Sequence, residues 1–303
     1  MDSLKTKAGV WYKLHRPTKQ EIAWLRDEFK LHELILAELQ RPTTRPKVQR
    51  FDDHLYLVLH FPIFNEKEQK TYPREIDFII GKKEIITVSY EPIPPLDEFF
   101  KTCAVDKSCQ DLYTSKTTLH FLYYIIKELY EFSLRQLDHI QARIGIIEEE
   151  VFSGKERDVV AEISIVGRDI IDFRRSLKPQ GVTIDSLAAE GEALFGKNII
   201  PFLEGLQGEY QKLWGLLETQ KETLDALYET NTTLLNIKQN DTTRILTIIA
   251  TTTFPLSLLA ALLATNAISN PILGNAYDFW IIGGLLVLGA AIILGAFKKN
   301  KWF

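Results

Sequence analysis

Two apolar segments near the C-terminus constrain this chain more than any other feature. Residues 245–265 (ILTIIATTTFPLSLLAALLAT) and 279–297 (FWIIGGLLVLGAAIILGAF) contain no Asp, Glu, Lys or Arg. At about 1.5 Å rise per residue, helices of about 21 and about 19 residues match a hydrocarbon core about 30 Å thick. Both are predicted to span a membrane. The whole-chain averages, 46% apolar and 25% charged, are those of a soluble protein, so a large soluble part accompanies the hairpin.

Charge around the hairpin predicts its orientation. Lys298, Lys299 and Lys301 follow the second segment and Lys238 and Arg244 precede the first, whereas residues 266–278 contain no Lys or Arg. The positive-inside rule then places both termini in the cytoplasm of a multi-pass protein of the plasma (inner) membrane. Tyr277, Phe279 and Trp280 at the outer end, and Phe297 and Trp302 at the inner end, are candidate interfacial anchors. The N-terminus lacks the apolar run of a signal peptide, which keeps the soluble part cytoplasmic. A net charge of -4 and a pI near 5.9 argue against nucleic-acid binding. Cys103 and Cys109 lack CxxC spacing and are expected as reduced thiols, not metal ligands.

Residues 1–114 read as an α/β domain. A β-prone run at 10–14 precedes Thr18, whose position three residues before Glu21 predicts a capping box and a helix; a short helix over 32–39 follows. Strands are predicted at 47–51, 55–64, 75–80 and 84–89, the last two joined by Gly81, Lys82 and Lys83 with the glycine at positive φ. A short helix at 96–102 closes the domain. Asp52, Asp53 and His54 read as a turn in preference to a metal site. The six histidines are scattered, without HExxH, GxxxxGK[ST] or GxSxG, so neither an enzyme nor a nucleotide-binding protein is predicted.

From 115 the apolar period becomes helical. One helix to Phe152 and a second over 156–177 form a predicted hairpin occupying 115–197, with Glu148, Glu149 and Glu150 at its tip as a solvated helix end or a cation-attracting cluster. A stalk helix over 198–244, continuous with the first span, carries Leu203, Leu206, Tyr210, Leu213, Leu217, Gln220, Leu224, Leu227, Asn231 and Leu234 at coiled-coil spacing. Its seam turns polar at Asn236, Gln239, Asn240 and Asp241, which suggests shielding by neighbouring copies. Within the first span, Thr243, Thr247, Ala250, Thr251, Phe254, Ser257, Ala261 and Ala264 make a stripe of mostly small or hydroxylated residues. It either packs on the second span or lines a pore, and two spans per chain enclose a pore only if several subunits share it.

These residues resemble the CorA-type divalent-cation transporters. The likeness is best over 240–251 (NDTTRILTIIAT), in Phe254, Pro255 and Leu256, and in the terminal Lys298, Lys299, Asn300, Lys301 and Trp302, with weaker echoes elsewhere. The resemblance implies an α+β cytosolic domain, long helices and two C-terminal spans in a funnel-shaped homopentamer. By the resemblance the pore is lined by Asn240, Thr243, Leu246, Ala250, Phe254 and Ser257. The family's Gly-Met-Asn is here Ala264, Thr265 and Asn266, so Asn266 alone remains to form an outer selectivity ring. Asp278 is the one acid of the outer loop at 266–278, and the tail at 298–303 ends the chain with an inner basic cluster. The implied activity is passive movement of a divalent cation, Mg²⁺ by resemblance, which would also serve as a regulatory ion; no cofactor is expected. The expected partners are further copies of the chain and the bilayer. The lost Gly and Met leave open transport of Zn²⁺ or another ion, and a non-conducting scaffold or regulatory protein.

Overall fold

The computed structural model describes residues 1–65, 68, 70–106, 113, 117–263 and 277–299. It divides into two compact units, Met1–Tyr228 and Glu229–Phe303.

The first unit begins with strands β1 (Asp2–Lys5) and β2 (Val10–His15), then helices α1 (Lys19–Phe29) and α2 (Glu33–Glu38). Strands β3 (Lys47–Arg50), β4 (Leu55–Asn65), β5 (Lys70–Ile80) and β6 (Glu84–Ser89) follow, and α3 (Pro94–Val105) after them. The six strands form one sheet in the order β1-β2-β6-β5-β4-β3, antiparallel except for the β2–β6 pair. β1 was not predicted: its one buried position, Leu4, gives no alternation to detect.

α1 starts where its caps dictate. The Thr18 hydroxyl accepts from the Glu21 N–H at 3.2 Å, and the Glu21 carboxylate accepts from the Thr18 N–H at 2.8 Å. This reciprocal bonding satisfies two donors that the first turn leaves unpaired. α1 and α2 cover one sheet face with Ile22, Leu25, Ile35 and Leu36, packed on Leu14, Val58, Ile79, Ile86 and Val88. On the other face Trp11 meets Phe100 and Phe121 edge-on at 4.8 and 5.3 Å, while its indole N–H donates to the Thr87 hydroxyl at 3.0 Å.

The β5–β6 turn corrects one expectation. Gly81 is not at positive φ. Its lack of a side chain leaves room for the Glu84 carboxylate, which a Cβ there would overlap and which His54 holds at 3.0 Å. Asp52 and Asp53 lie in the tight turn between β3 and β4, closed by the Phe51 N–H donating to the His54 carbonyl at 2.8 Å.

Residues 117–199 hold three helices where the periodicity predicted two. They are α4 (Thr118–Phe152), α5 (Val159–Leu177) and α6 (Gln180–Phe195), followed by one 3₁₀ turn, Lys197–Ile199. Pro179, which follows the predicted end of the second helix at Leu177, is the residue from which α6 starts. Gln180 locks this junction: Tyr130 of α4 donates to its Oε1 at 2.7 Å and its Nε2 donates to the His60 carbonyl at 2.5 Å.

A single helix, α7, then runs Ile200–Leu263. Its predicted seam is buried, with Leu203, Leu206, Leu213, Leu217, Leu224 and Leu227 each at most 7% exposed. From Leu203 to Leu227 the seam is filled inside the first unit. Gln220 donates to the Leu137 carbonyl of α4 at 2.9 Å, and Glu218 pairs with Arg174 of α5 at 3.0 Å. Leu224 lies against Gly167 of α5, where an added Cβ would stand 3.6 Å away.

Candidate ion pathway

The second unit contains the rest of α7 and helix α8 (Asp278–Lys299). Both helices are long and apolar enough to cross a membrane, with mean hydropathy 2.0 and 2.4 in their most apolar windows. Together they form a two-span membrane unit at the C-terminus of the chain.

The two helices approach each other along one stripe of each. On α7, Ile248 is buried and Thr252, Leu256, Ala260 and Leu263 are half-buried, at four- and three-residue spacing. On α8 the half-buried positions are Ile282, Leu286, Gly289, Ala290, Ile293 and Phe297. Gly289 permits the approach: a Cβ on it would stand 3.0 Å from Cδ2 of Leu256. Small residues at such crossings let helices come close enough for backbone packing.

The expected pathway residues lie on another side of α7. Asn240, Thr243, Leu246, Phe254 and Ser257 are exposed and Ala250 is half-buried. At about 100° per residue, their side of the helix is turned roughly 140° from the stripe that meets α8. The alternative that the small and hydroxylated stripe through Thr243, Thr247, Ala250, Thr251, Phe254 and Ser257 packs on the second span is therefore not what the structure shows. Leu246 is 61% and Phe254 73% exposed.

The hydroxyls along α7 share an arrangement. Thr243 donates to the Gln239 carbonyl at 2.9 Å, Thr247 to the Thr243 carbonyl at 2.8 Å, and Ser257 to the Thr253 carbonyl at 2.8 Å. With its proton committed to its own helix, each hydroxyl offers only oxygen lone pairs outward. Such oxygens are acceptors for hydrated or bare cations. Pro255 lies within the helix and lacks an N–H, so the Thr251 carbonyl loses its i+4 donor and becomes a further acceptor.

Toward the N-terminal side of this unit, Asn231 is buried, whereas Asn236, Gln239, Asn240 and Asp241 are exposed. At the start of α8, the rings of Tyr277, Phe279 and Trp280 are exposed, at 71%, 75% and 75%. Lys298 and Lys299 occupy its last turn, where cations favour the negative end of the helix dipole. Ala264, Thr265, Asn266 and Lys301, with the side chain of Asp278, lie outside the described residues.

Among the described residues, no group of three His, Cys, Asp or Glu side chains is placed to hold a metal. At the α4 tip Glu150 pairs with Lys155 at 3.3 Å, and Glu148 and Glu149 are exposed. Cys103 is buried in α3, and Cys109 lies outside the described residues. Sequence reasoning missed the polar group beneath α1 and α2, centred on His60, Glu75 and Asp77. The signal for it was present: three ionisable residues at inward positions of two paired strands.

An N-terminal α+β unit followed by two C-terminal apolar helices is the architecture of a two-span membrane protein, and the family match places it among membrane metal-ion transporters. The model of the CorA-like Mg2+ transporter protein family matches residues 6–299, and the chain belongs to that family. A cobalt/magnesium transport protein CorA of Thermotoga maritima is 22% identical over 90% of this chain and 77% of its own length. The complete structure of the CorA magnesium transporter from Methanocaldococcus jannaschii superimposes with a TM-score of 0.84 at 20% identity, covering 98% of this chain and 92% of that one. The full-length CmaX protein gives 0.75 at 20% identity, covering 100% and 91%.

Proposed function

We propose that this chain assembles as a homopentamer whose five first spans enclose a passive pathway for a divalent cation, with Mg²⁺ as the cargo. Both termini face the cytoplasm of the plasma (inner) membrane, as the lysines after the second span and the lack of Lys and Arg in the sequence of 266–278 favour. The observation that carries the reading is the side of α7 bearing Asn240, Thr243, Leu246, Ala250, Phe254 and Ser257, which the chain's own second span leaves uncovered. A face with oxygen acceptors at Asn240, Thr243 and Ser257 on either side of apolar Leu246, Ala250 and Phe254 suits a conduit in which Leu246 and Phe254 act as dewetting constrictions. Family membership supplies the second support, and relatives' names, which include cobalt/magnesium transport, supply the choice among divalent ions. Asn266 is assigned to the outer mouth, where an amide oxygen can bond the water shell that Mg²⁺ sheds reluctantly. Ala264 and Thr265 in place of Gly and Met, and Asp278 as the one loop acid, point to weak selection by charge at entry.

Flux into liposomes containing the full-length protein tests this directly. Uptake of Mg²⁺, compared with Zn²⁺, Co²⁺, Ni²⁺ and monovalent cations, is expected down an imposed gradient without ATP. Asn266→Ala is expected to reduce discrimination among those ions. Absence of flux for every divalent ion sinks the transport reading in favour of a non-conducting scaffold, and preference for Zn²⁺ overturns the choice of cargo.

A further inference from the structure

The sheet face beneath α1 and α2 carries a polar group that ion passage does not use. Glu75 and Asp77 stand two residues apart on β5 and so point to the same face. Asp77 is 0% and Glu75 7% exposed. The hydroxyls of Tyr90 and Tyr56 both donate to Oδ2 of Asp77, at 2.9 and 3.3 Å, which leaves its Oδ1 without a donor. On Glu75, Oε1 accepts from the Thr43 N–H at 2.9 Å. Its Oε2 lies 3.3 Å from Nε2 of His60 but makes no hydrogen bond. That nitrogen donates to the Thr43 carbonyl at 3.2 Å, so Nε2 carries a hydrogen.

Each buried carboxyl thus has one orphaned oxygen, and the two side chains are neighbours on one face of β5. Two adjacent carboxylates in an apolar site repel, whereas a single shared proton removes one charge and satisfies both orphaned oxygens. Among the described residues, the Lys and Arg side chains near the pair are engaged elsewhere. From β3, the Lys47 ammonium is committed to Glu38 of α2 and lies 5.3 Å over the Tyr56 ring. After β2, the Arg16 guanidinium donates to the Tyr90 carbonyl at 2.5 Å. β4 contributes Tyr56 and His60, and the chain after β6 contributes Tyr90 and Glu91, the latter paired with Arg74 of β5. Arg175 of α5 is exposed at the rim and lies 3.7 Å from Asp172.

We propose that Glu75 and Asp77 hold one proton between them, making the soluble unit of this transporter a proton-binding element that exchanges with solvent through the adjoining cavity. That cavity, about 660 Å³, is lined by Glu75, His60, Tyr90, Thr43, Arg16 and Arg175, among others. Glu75 lines it and Asp77 does not, so Glu75 is the solvent-side member of the pair. Burial, then the neighbouring Glu75, raise Asp77 well above the usual carboxylate range, against the opposing bonds from Tyr90 and Tyr56. The native state therefore keeps a proton that the unfolded chain releases at about pH 3.9. The stability due to neutral Asp77 is fully present below that value and is lost as pH rises toward and through the native one.

Infrared spectroscopy and thermal unfolding of the full-length protein test the assignment. The wild type at about pH 7 is expected to show a protonated-carboxyl C=O stretch that Asp77→Asn removes and Tyr90→Phe, by deleting one donor, shifts. The unfolding midpoint of the wild type is expected to fall by several degrees between about pH 5 and about pH 8, and that of Asp77→Asn by less than half as much. Should Asp77→Asn not fold, the band and its shift in Tyr90→Phe decide the matter alone. A wild type without the band, a band indifferent to Tyr90→Phe, or an equal pH dependence in Asp77→Asn overturns the proposal. Loss of pH dependence in His60→Gln with no band would assign the compensating charge to an imidazolium and overturn it equally.

Discussion

Single residues in this chain act through backbone geometry as much as through chemistry, and the sequence reveals the two unequally. Thr18 and Glu21 were readable because a capping box is a local pattern of two residue types at fixed spacing, and both reciprocal bonds are made. Gly81 was misread because a hairpin glycine ordinarily signals positive φ, whereas here the constraint is the Glu84 carboxylate folded over it. Gly9, which no pattern singled out, is the glycine of this sheet that positive φ does require. Its φ is +150°, and a Cβ on it would collide with the carbonyl of Lys83, the same carbonyl that accepts from the Val10 N–H at 2.9 Å. Gly9→Ala is therefore expected to destabilise the soluble unit by about 2 kcal/mol or more, since both the backbone and its β2–β6 partner must shift. A change in chemical-denaturation midpoint within error of the wild type would show that the turn relaxes freely.

At the scale of elements, periodicity served well where one face of a helix is buried and failed where a short apolar signal crosses a proline. α6 was missed because Pro179 looks like a terminator, although proline ends one helix and begins the next with equal ease. β4 and β5 were legible from their apolar runs, but the polar trio His60, Glu75 and Asp77 inside them was not, because a period of two says which face a residue takes and not what stands opposite it. The seam of α7 shows both sides. Its positions were predicted correctly from Leu203 to Leu227, yet a heptad pattern does not name its partner, and the partner is α4 and α5 of the same chain. Adjacent leucines make a controlled test: Leu217 is 0% exposed and Leu216 43%. Leu217→Ala is expected to cost about 2–5 kcal/mol and Leu216→Ala about 0.5 kcal/mol or less. Unfolding of the full-length protein in detergent, followed by circular dichroism, checks the difference, and equal losses would mean that the seam is not filled within the chain.

For the whole molecule, the membrane unit was the most legible part, since two uncharged stretches of spanning length require no tertiary information. What the sequence could not give is which side of α7 would remain free, because that depends on where α8 packs, and Gly289 against Leu256 is a contact between segments. The uncovered side gives the pathway assignment its sharpest test. Phe254, 73% exposed, lies on the assigned face, and Ile249, 56% exposed and five residues earlier, lies off it at similar depth. Replacing either with Ser changes a large apolar side chain to a small hydroxylated one. At a lipid-facing position such a change leaves flux alone, while at an apolar constriction it admits water and lowers the barrier to a hydrated ion. Phe254→Ser is thus expected to raise divalent-cation flux in liposomes by about tenfold, equivalent to a barrier lower by about 1.4 kcal/mol, with Ile249→Ser near the wild type. Equal effects of the two substitutions would remove Phe254 from the pathway, and a larger effect at Ile249 would place the pathway on the opposite side of the helix.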